Sequence, residues 1–147
     1  MPAAQPTGSV FTIRIDSIPS AKISHVGLFY LRDMTTEYVL PEGVTYVTGS
    51  AHIVPGTGTP NVLTGASVTA SGRGIRVSLP ARVDNGSSYT PPSVEFSVRV
   101  DAPARTDLAL KFSRYEVVAN VFVIGDLKTV CEPPPDGGVI GVTRVTR

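Results

Sequence analysis

Apolar and polar residues alternate strictly over Phe11-Thr12-Ile13-Arg14-Ile15-Asp16, which predicts a half-buried strand with Phe11, Ile13 and Ile15 on its inner face. A second run, Lys22 to Arg32, carries Val26, Leu28 and Tyr30 on one side with Phe29 and Leu31 on the other. Met34 to Glu37 leads into Tyr38-Val39-Leu40-Pro41-Glu42-Gly43-Val44-Thr45-Tyr46-Val47-Thr48-Gly49-Ser50, which reads as strand, corner, strand. Pro41 presets φ and Gly43 accepts a positive one, while Val39, Val44 and Tyr46 or Val47 are expected to anchor the flanking strands in a core. Ala51 to Val54 extends the second of these strands, and Pro55 to Pro60 can only be a loop.

Further strands are expected at Asn61 to Leu63, Ser67 to Ala70, and Ile75 to Leu79, the last with Ile75, Val77 and Leu79 inward and a tight turn around Arg73 before it. Asp84-Asn85-Gly86-Ser87 reads as a hairpin turn, since Asn-Gly suits two successive positive φ values. Val94 to Val100 is the cleanest alternation, with Val94, Phe96, Val98 and Val100 inward. Leu108, Leu110 and Phe112 form the next inner set. Tyr115 to Ile124, apolar on both faces, predicts a central strand covered on both sides. Glu132 to Gly138 is a loop, and Val139 to Arg147 a last strand or tail. No spacing of three and four persists for three turns, so no long helix is expected, only a short turn near Ala102 to Asp107.

Roughly eight to ten short strands separated by turn signals predict an all-β fold, a two-sheet antiparallel β-sandwich of immunoglobulin-like kind. Residues 1–9, rich in Pro, Gly and Ala, read as a flexible N-terminal arm, and residues 10–147 as a single sandwich domain. A chain of 147 residues is long enough to build a core without metals or disulfides. Charged residues make up only 17 % of it and the net charge is +1, which argues against a polyanion such as nucleic acid as the partner. The one cysteine, Cys131, has no partner inside the chain, so it is either free or paired elsewhere. No apolar run is long enough for a membrane span. The opening residues lack the basic and apolar regions of a signal peptide, which leaves open a protein that stays where it is made and a mature segment with an initiator Met added.

Candidate chemistry is sparse. His25 and His52 fall in different predicted strands and outside any metal-ligand or zincin spacing, and no G-x-S-x-G elbow occurs. Asp84-Asn85-Gly86 supplies two potential calcium ligands and then stops, while Asp101, Asp107, Asp126 and Asp136 stand at strand ends without a ligand pattern. The Pro55 to Pro60 loop lacks the Gly-Lys-Ser/Thr of a phosphate cradle. Arg73, Arg76, Arg82, Arg99, Arg105, Lys111 and Arg114 would form a basic stripe only if their strands adjoin, and Glu95 and Asp101 interrupt it. Of the aromatics, Tyr38 and Tyr89 beside turns are the ones expected at the surface as a sugar platform would need. No catalytic, cofactor-binding or metal-binding residue is assigned, and the chain reads as a non-enzyme.

The segment Leu40-Pro41-Glu42-Gly43-Val44-Thr45-Tyr46-Val47-Thr48-Gly49-Ser50 resembles the conserved immunoglobulin-like repeat of bacterial surface proteins, whose signature is Leu-Pro-x-Gly-Val-x-Tyr/Phe-Val-Ser-Gly-Ser. Asn85-Gly86-Ser87-Ser88-Tyr89 and the Val94 to Val100 strand are similar to its later turn and penultimate strand, so the resemblance covers roughly residues 10 to 102. Tyr38 stands where such repeats often carry an acid, and their middle-strand tryptophan is absent. Cys131-Glu132-Pro133-Pro134 is similar to the Cys-x-Pro endings of secreted actinobacterial wall domains. The resemblance implies a non-catalytic extracellular or cell-wall module, a spacer, adhesion or protein-interaction domain. The alternative is a virion protein of a phage capsid or tail. A homo-oligomer built by strand addition through Phe11 to Asp16 or Val139 to Arg147 is open in either case.

Overall fold

Alternation with one apolar face needs a second layer to bury that face, and the computed structural model, which describes residues 1–135 and 137–147, supplies it as two packed sheets. In chain order the elements are β1 (Ala4–Pro6), β2 (Val10–Ile15), β3 (Leu28–Val39), β4 (Val44–Tyr46), β5 (His52–Ile53), α1 (Pro60–Leu63), β6 (Ser67–Ser71), β7 (Gly74–Leu79), β8 (Val83–Asp84), β9 (Val94–Val100), β10 (Asp107–Val121), β11 (Gly125–Cys131) and β12 (Val139–Thr146). The larger sheet has eight strands in the order β1-β12-β10-β3-β7-β6, with β11 also on β10 and β8 also on β3. The smaller has four, in the order β2-β9-β4 with β5 also on β9. This is an all-β, two-sheet β-sandwich with a strongly curled larger sheet. All pairings are antiparallel except β1 with β12.

The core forms where inward faces meet. One cluster joins Phe11 and Ile13 of β2, Phe96, Val98 and Val100 of β9, Leu40, Ile75, Leu108, Leu110 and Val145. The other joins Met34, Val62, Val77, Leu79, Val83, Val94 and Val117. The inner sets expected for β2, β7 and β9 are the ones turned into the core, with Ile15 at the end of β2 only partly buried, because a period of two with one apolar face admits a single orientation. The corner also forms as expected: Leu40-Pro41-Glu42-Gly43 carries the chain from the larger sheet to the smaller, with Gly43 at φ 82°. Its anchor is Leu40, 1 % exposed, rather than Val39; Val44 and Tyr46 pack on the same cluster.

Several elements differ from expectation. Residues 1–9 are not all arm, for β1 pairs in parallel with Arg144–Thr146, and Thr143 Oγ1 donates to the Pro2 carbonyl at 2.8 Å. An open edge on β12 offers backbone partners, and an edge strand tolerates prolines. Asn61 to Leu63 is a helical turn, not a strand, with Pro60 in its first turn, where the missing N–H costs nothing. Between Lys22 and Gly27 the chain is irregular, and the strand starts only at Leu28 but runs through Met34 to Glu37, crossing a bulge at Asp33, φ 51°. Asn85-Gly86 makes a turn in which only Gly86 has positive φ, and β8 before it pairs with β3, so no hairpin forms there. Tyr115 to Ile124 is not a covered strand to its end: β10 stops at Val121 and the next three residues are exposed. Gly125–Cys131, exposed along almost all its length, forms β11 by pairing with β10 alone.

Candidate apolar tip

Two turns meet at one end of the larger sheet because Val121 pairs with Leu28 as the last step of the β10–β3 register. One is Val26-Gly27 ahead of β3. The other is Phe122-Val123-Ile124 between β10 and β11, closed by the Val121–Gly125 pair. The Phe122 N–H donates to the Gly27 carbonyl at 2.7 Å, and the Phe122 and Phe29 rings meet edge to face at 6.1 Å and 78°. The two loops are thus one ordered surface rather than separate flaps. Its side chains are open to water: Val26 97 %, Val123 88 %, Ile124 69 %, Phe122 64 % and Phe29 52 %. Scattered exposed apolar residues are ordinary, whereas these five are gathered on two tied turns.

The backbone of the tip is strained at one residue. Val123 has φ 71°, a conformation that a β-branched residue adopts rarely because its Cβ crowds the carbonyl. Replacing Val123 by asparagine, which tolerates that region, is expected to raise stability by about 0.5–1 kcal/mol. Thermal melts of the two proteins check this, and a lower melting temperature for the variant would contradict it.

Behind the tip the charges are paired. Arg32 bonds Asp33 and, at 2.6 Å, Asp126, whose other oxygen accepts from Asn120 Nδ2 at 2.8 Å. The Asn120 bond, with Arg32 beside it, holds the Asp126 carboxyl below its ordinary range. Arg82 bonds Asp84 at 2.6 Å and lies over the Tyr30 ring at 3.9 Å. Arg32 and Arg82 behind the tip are thus each matched by carboxylates, Asp33 and Asp126 for the first and Asp84 for the second.

Other carboxyls are depressed in the same manner: Asp16 by its bond from Arg14, Asp101 by Thr45 and then Arg99, Glu116 by Lys128 with Arg114 nearby. A carboxyl with a lowered folded-state pKa stabilises the fold above its unfolded value and loses that contribution as pH falls through the folded value. With ordinary values of 3.8 and 4.5, the melting temperature is expected to stay level from pH 7 to about 5 and to fall below about pH 4. A series of melts from pH 7 to 2.5 tests this; a fall already complete by pH 5 would show that other groups govern acid stability.

The residues singled out in the sequence do not converge. His25 lies beside the tip with Nδ1 2.8 Å from the Val26 carbonyl, and His52 sits in β5, its Nδ1 2.9 Å from the Ser50 carbonyl and Nε2 3.6 Å from Glu95. Both are exposed. Arg73, Arg76, Arg82, Arg99 and Arg114 each pair with a carboxylate, of Glu42, Glu37, Asp84, Asp101 and Glu116 respectively, which breaks up the stripe. Among the described residues no three of His, Cys, Asp and Glu gather as a metal site; Asp136 lies outside them. Tyr38 and Tyr89, expected at the surface, are half-buried: Tyr38 packs edge to face on Phe112, and the Tyr89 hydroxyl is 3.3 Å from that of Tyr115. Burial raises the phenols of Tyr38 and Tyr115 above their usual range. Cys131 is free and exposed. Sequence reasoning missed Phe122, Val123 and Ile124 by counting them into a strand, although Gly125-Asp126 directly after the apolar run is a turn signal.

No family model matches the chain, and no curated protein matches it in sequence. Among solved structures it is similar to the sixth cohesin of Acetivibrio cellulolyticus scaffoldin B, solved in complex with a Cel5 dockerin variant, at TM-score 0.43 and 10 % identity over 98 % of this chain and 92 % of that one. Domains D2 and D3 of the major pilin SpaD from Corynebacterium diphtheriae align at TM-score 0.42 and 15 % identity over 88 % of this chain and 47 % of that one. The Actinomyces fimbrial adhesin FimA aligns at 0.40 and 14 % over 97 % and 51 %. The chain thus spans about half the length of the latter two. Similarity at this level carries no function, so the surfaces of the chain itself have to supply one.

Proposed function

We infer that this chain is a non-catalytic β-sandwich module of a bacterial cell exterior that binds a protein partner through its apolar tip. The tip carries this reading: Val26, Phe29, Phe122, Val123 and Ile124 project from two turns held together by one hydrogen bond and one ring contact. Exposed aromatic and aliphatic side chains on an ordered loop lose little conformational freedom on docking, and each one buried in a partner's cleft contributes about 1.5–3 kcal/mol. A protein cleft is favoured over an anionic bilayer because Arg32 and Arg82, the guanidinium groups behind the tip, are already paired with carboxylates. Placement outside the cell is supported by the resemblance of Leu40 to Ser50 to surface-protein repeats.

Two measurements test it. Phe122→Ser combined with Ile124→Ser is expected to leave the melting temperature within a few degrees, both residues being exposed, while lowering retention of the chain on intact source cells at least about tenfold. Undiminished retention would dispose of the tip as the contact. Fractionation of the source cell, with the native protein followed by immunoblot, tests the placement; recovery in the cytosol rather than the wall or medium would overturn it.

A further inference from the structure

The smaller sheet has an open edge. Among the described residues β2 pairs with β9 and with nothing else. The Val100 N–H donates to Ser9 O at 2.9 Å, while the Ser97 N–H goes to Ser50 Oγ at 2.9 Å and its carbonyl accepts from the Val47 N–H at 2.9 Å. Antiparallel pairing alternates, so the N–H and C=O of Phe11, Ile13 and Ile15 are those turned toward β9. Those of Val10, Thr12 and Arg14 point away from the sheet, and none has a partner among the described residues.

Edge strands are normally kept short, charged, covered or proline-bearing. The other edges here are short, charged or flanked, β12 among them: β1 pairs with its Arg144–Thr146, Thr143 Oγ1 donates to the Pro2 carbonyl, and Met1 lies against Gly141. β4 and β5 have three and two residues, β1 has three and ends at Pro6, and β6 lies against β5. β11 has seven residues but carries Asp126 and Lys128 and is exposed on both faces, so a strand added there would bury little and have no fixed register. β2 is different. Its six residues include one charge, Arg14, already bonded to Asp16 and Glu95, and its inner face is fixed in the core, Phe11 at 8 % and Ile13 at 0 % exposure. Near its end, between the sheets, lies a groove of about 430 Å³ bordered by Met1, Ile15, Ile18, Tyr38, Phe112 and Ile140.

We propose that two copies of the chain join through β2, edge to edge and antiparallel, about a two-fold axis at Thr12. The strand is self-complementary in that register. Thr12 faces Thr12 of the second copy, Val10 faces Arg14, and Phe11 faces Ile13, so apolar residues meet on the inner side and no like charges meet on the outer. The residues whose backbone groups are free, Val10, Thr12 and Arg14, become the hydrogen-bonded pairs, giving about six bonds between copies. The two four-stranded sheets become one continuous sheet across the axis. This contact uses the smaller sheet and leaves the tip of the larger one open, so it stands or falls separately from the partner reading above.

Sedimentation of the full chain over a concentration series is expected to show twice the 15.5 kDa of one chain at high concentration. Thr12→Lys, at an exposed position, places like charges opposite each other on the axis and is expected to return the chain to monomer, with an unchanged far-ultraviolet spectrum. In a Cys131→Ser background, Thr12→Cys is expected to cross-link two copies under mild oxidation, since such paired Cα atoms lie about 5.5 Å apart, within disulfide reach. Thr45→Cys on the exposed face of β4 is expected not to. A monomer at every concentration overturns the proposal. So does a dimer indifferent to Thr12→Lys, or cross-linking no better at residue 12 than at residue 45.

Discussion

Replacing Gly43 by valine is expected to destabilise the fold by about 4 kcal/mol or more, which would leave a large part of the population unfolded in a domain of ordinary stability. Two causes add. Gly43 has φ 82°, where a β-branched residue is strained whatever the space around it. A Cβ there would also stand 2.5 Å from Ala102 Cβ and 3.1 Å from its Cα. Ala102 cannot retreat, being 4 % exposed and held by its N–H to the Gly43 carbonyl at 2.8 Å, a carbonyl that also accepts the Asp101 N–H at 2.8 Å. The corner and the end of β9 are clamped through this one peptide. Gly43→Ala combined with Ala102→Gly separates the causes, because the second change relieves the contact but not the φ strain. Denaturant unfolding of the two single variants and the double one measures the coupling. An unchanged midpoint for Gly43→Val would contradict the role of the corner.

Phe96→Ala is the other large effect, an expected loss of about 3–5 kcal/mol and a melting temperature lower by roughly 10–16 °C. Phe96 is wholly buried at the middle of β9, opposite Ile13 of β2, and packs in the cluster that holds Leu108 and Leu110 of the facing sheet. Truncation leaves a cavity whose walls are strands hydrogen-bonded on either side and cannot close in. Phe96→Leu, which refills most of the volume, is expected to restore more than half of the loss. Calorimetry of both variants tests this; equal losses for Ala and Leu would mean that the ring itself, not the volume, matters at this site.

The two effects also divide what was legible from what was not. Which face of β2, β7 and β9 is buried follows from alternation alone, since a one-residue slip would turn Ile13, Val77 or Phe96 outward. The Gly43 corner is equally local, because a positive φ is a property of four residues. His25 and His52 fall in separate parts of the sequence, and in the fold the first lies beside the tip and the second in β5.

Long-range pairing decided the rest. The N-terminal residues became β1 because the edge of β12, at the far end of the chain, was open to them, and no property of Ala4-Gln5-Pro6 announces that. The run Tyr115 to Ile124 looks uniformly apolar, yet Val117 is buried and Phe122, Val123 and Ile124 are not. At that end of the eight-stranded sheet Val26 and Phe29 are exposed with them. Sequence by itself therefore determined the strand character, the inward faces and the corner, each set by neighbours a few residues apart. The tertiary structure alone decided which apolar residues are left uncovered and which edge is left unpaired, because both depend on where one sheet ends relative to the other.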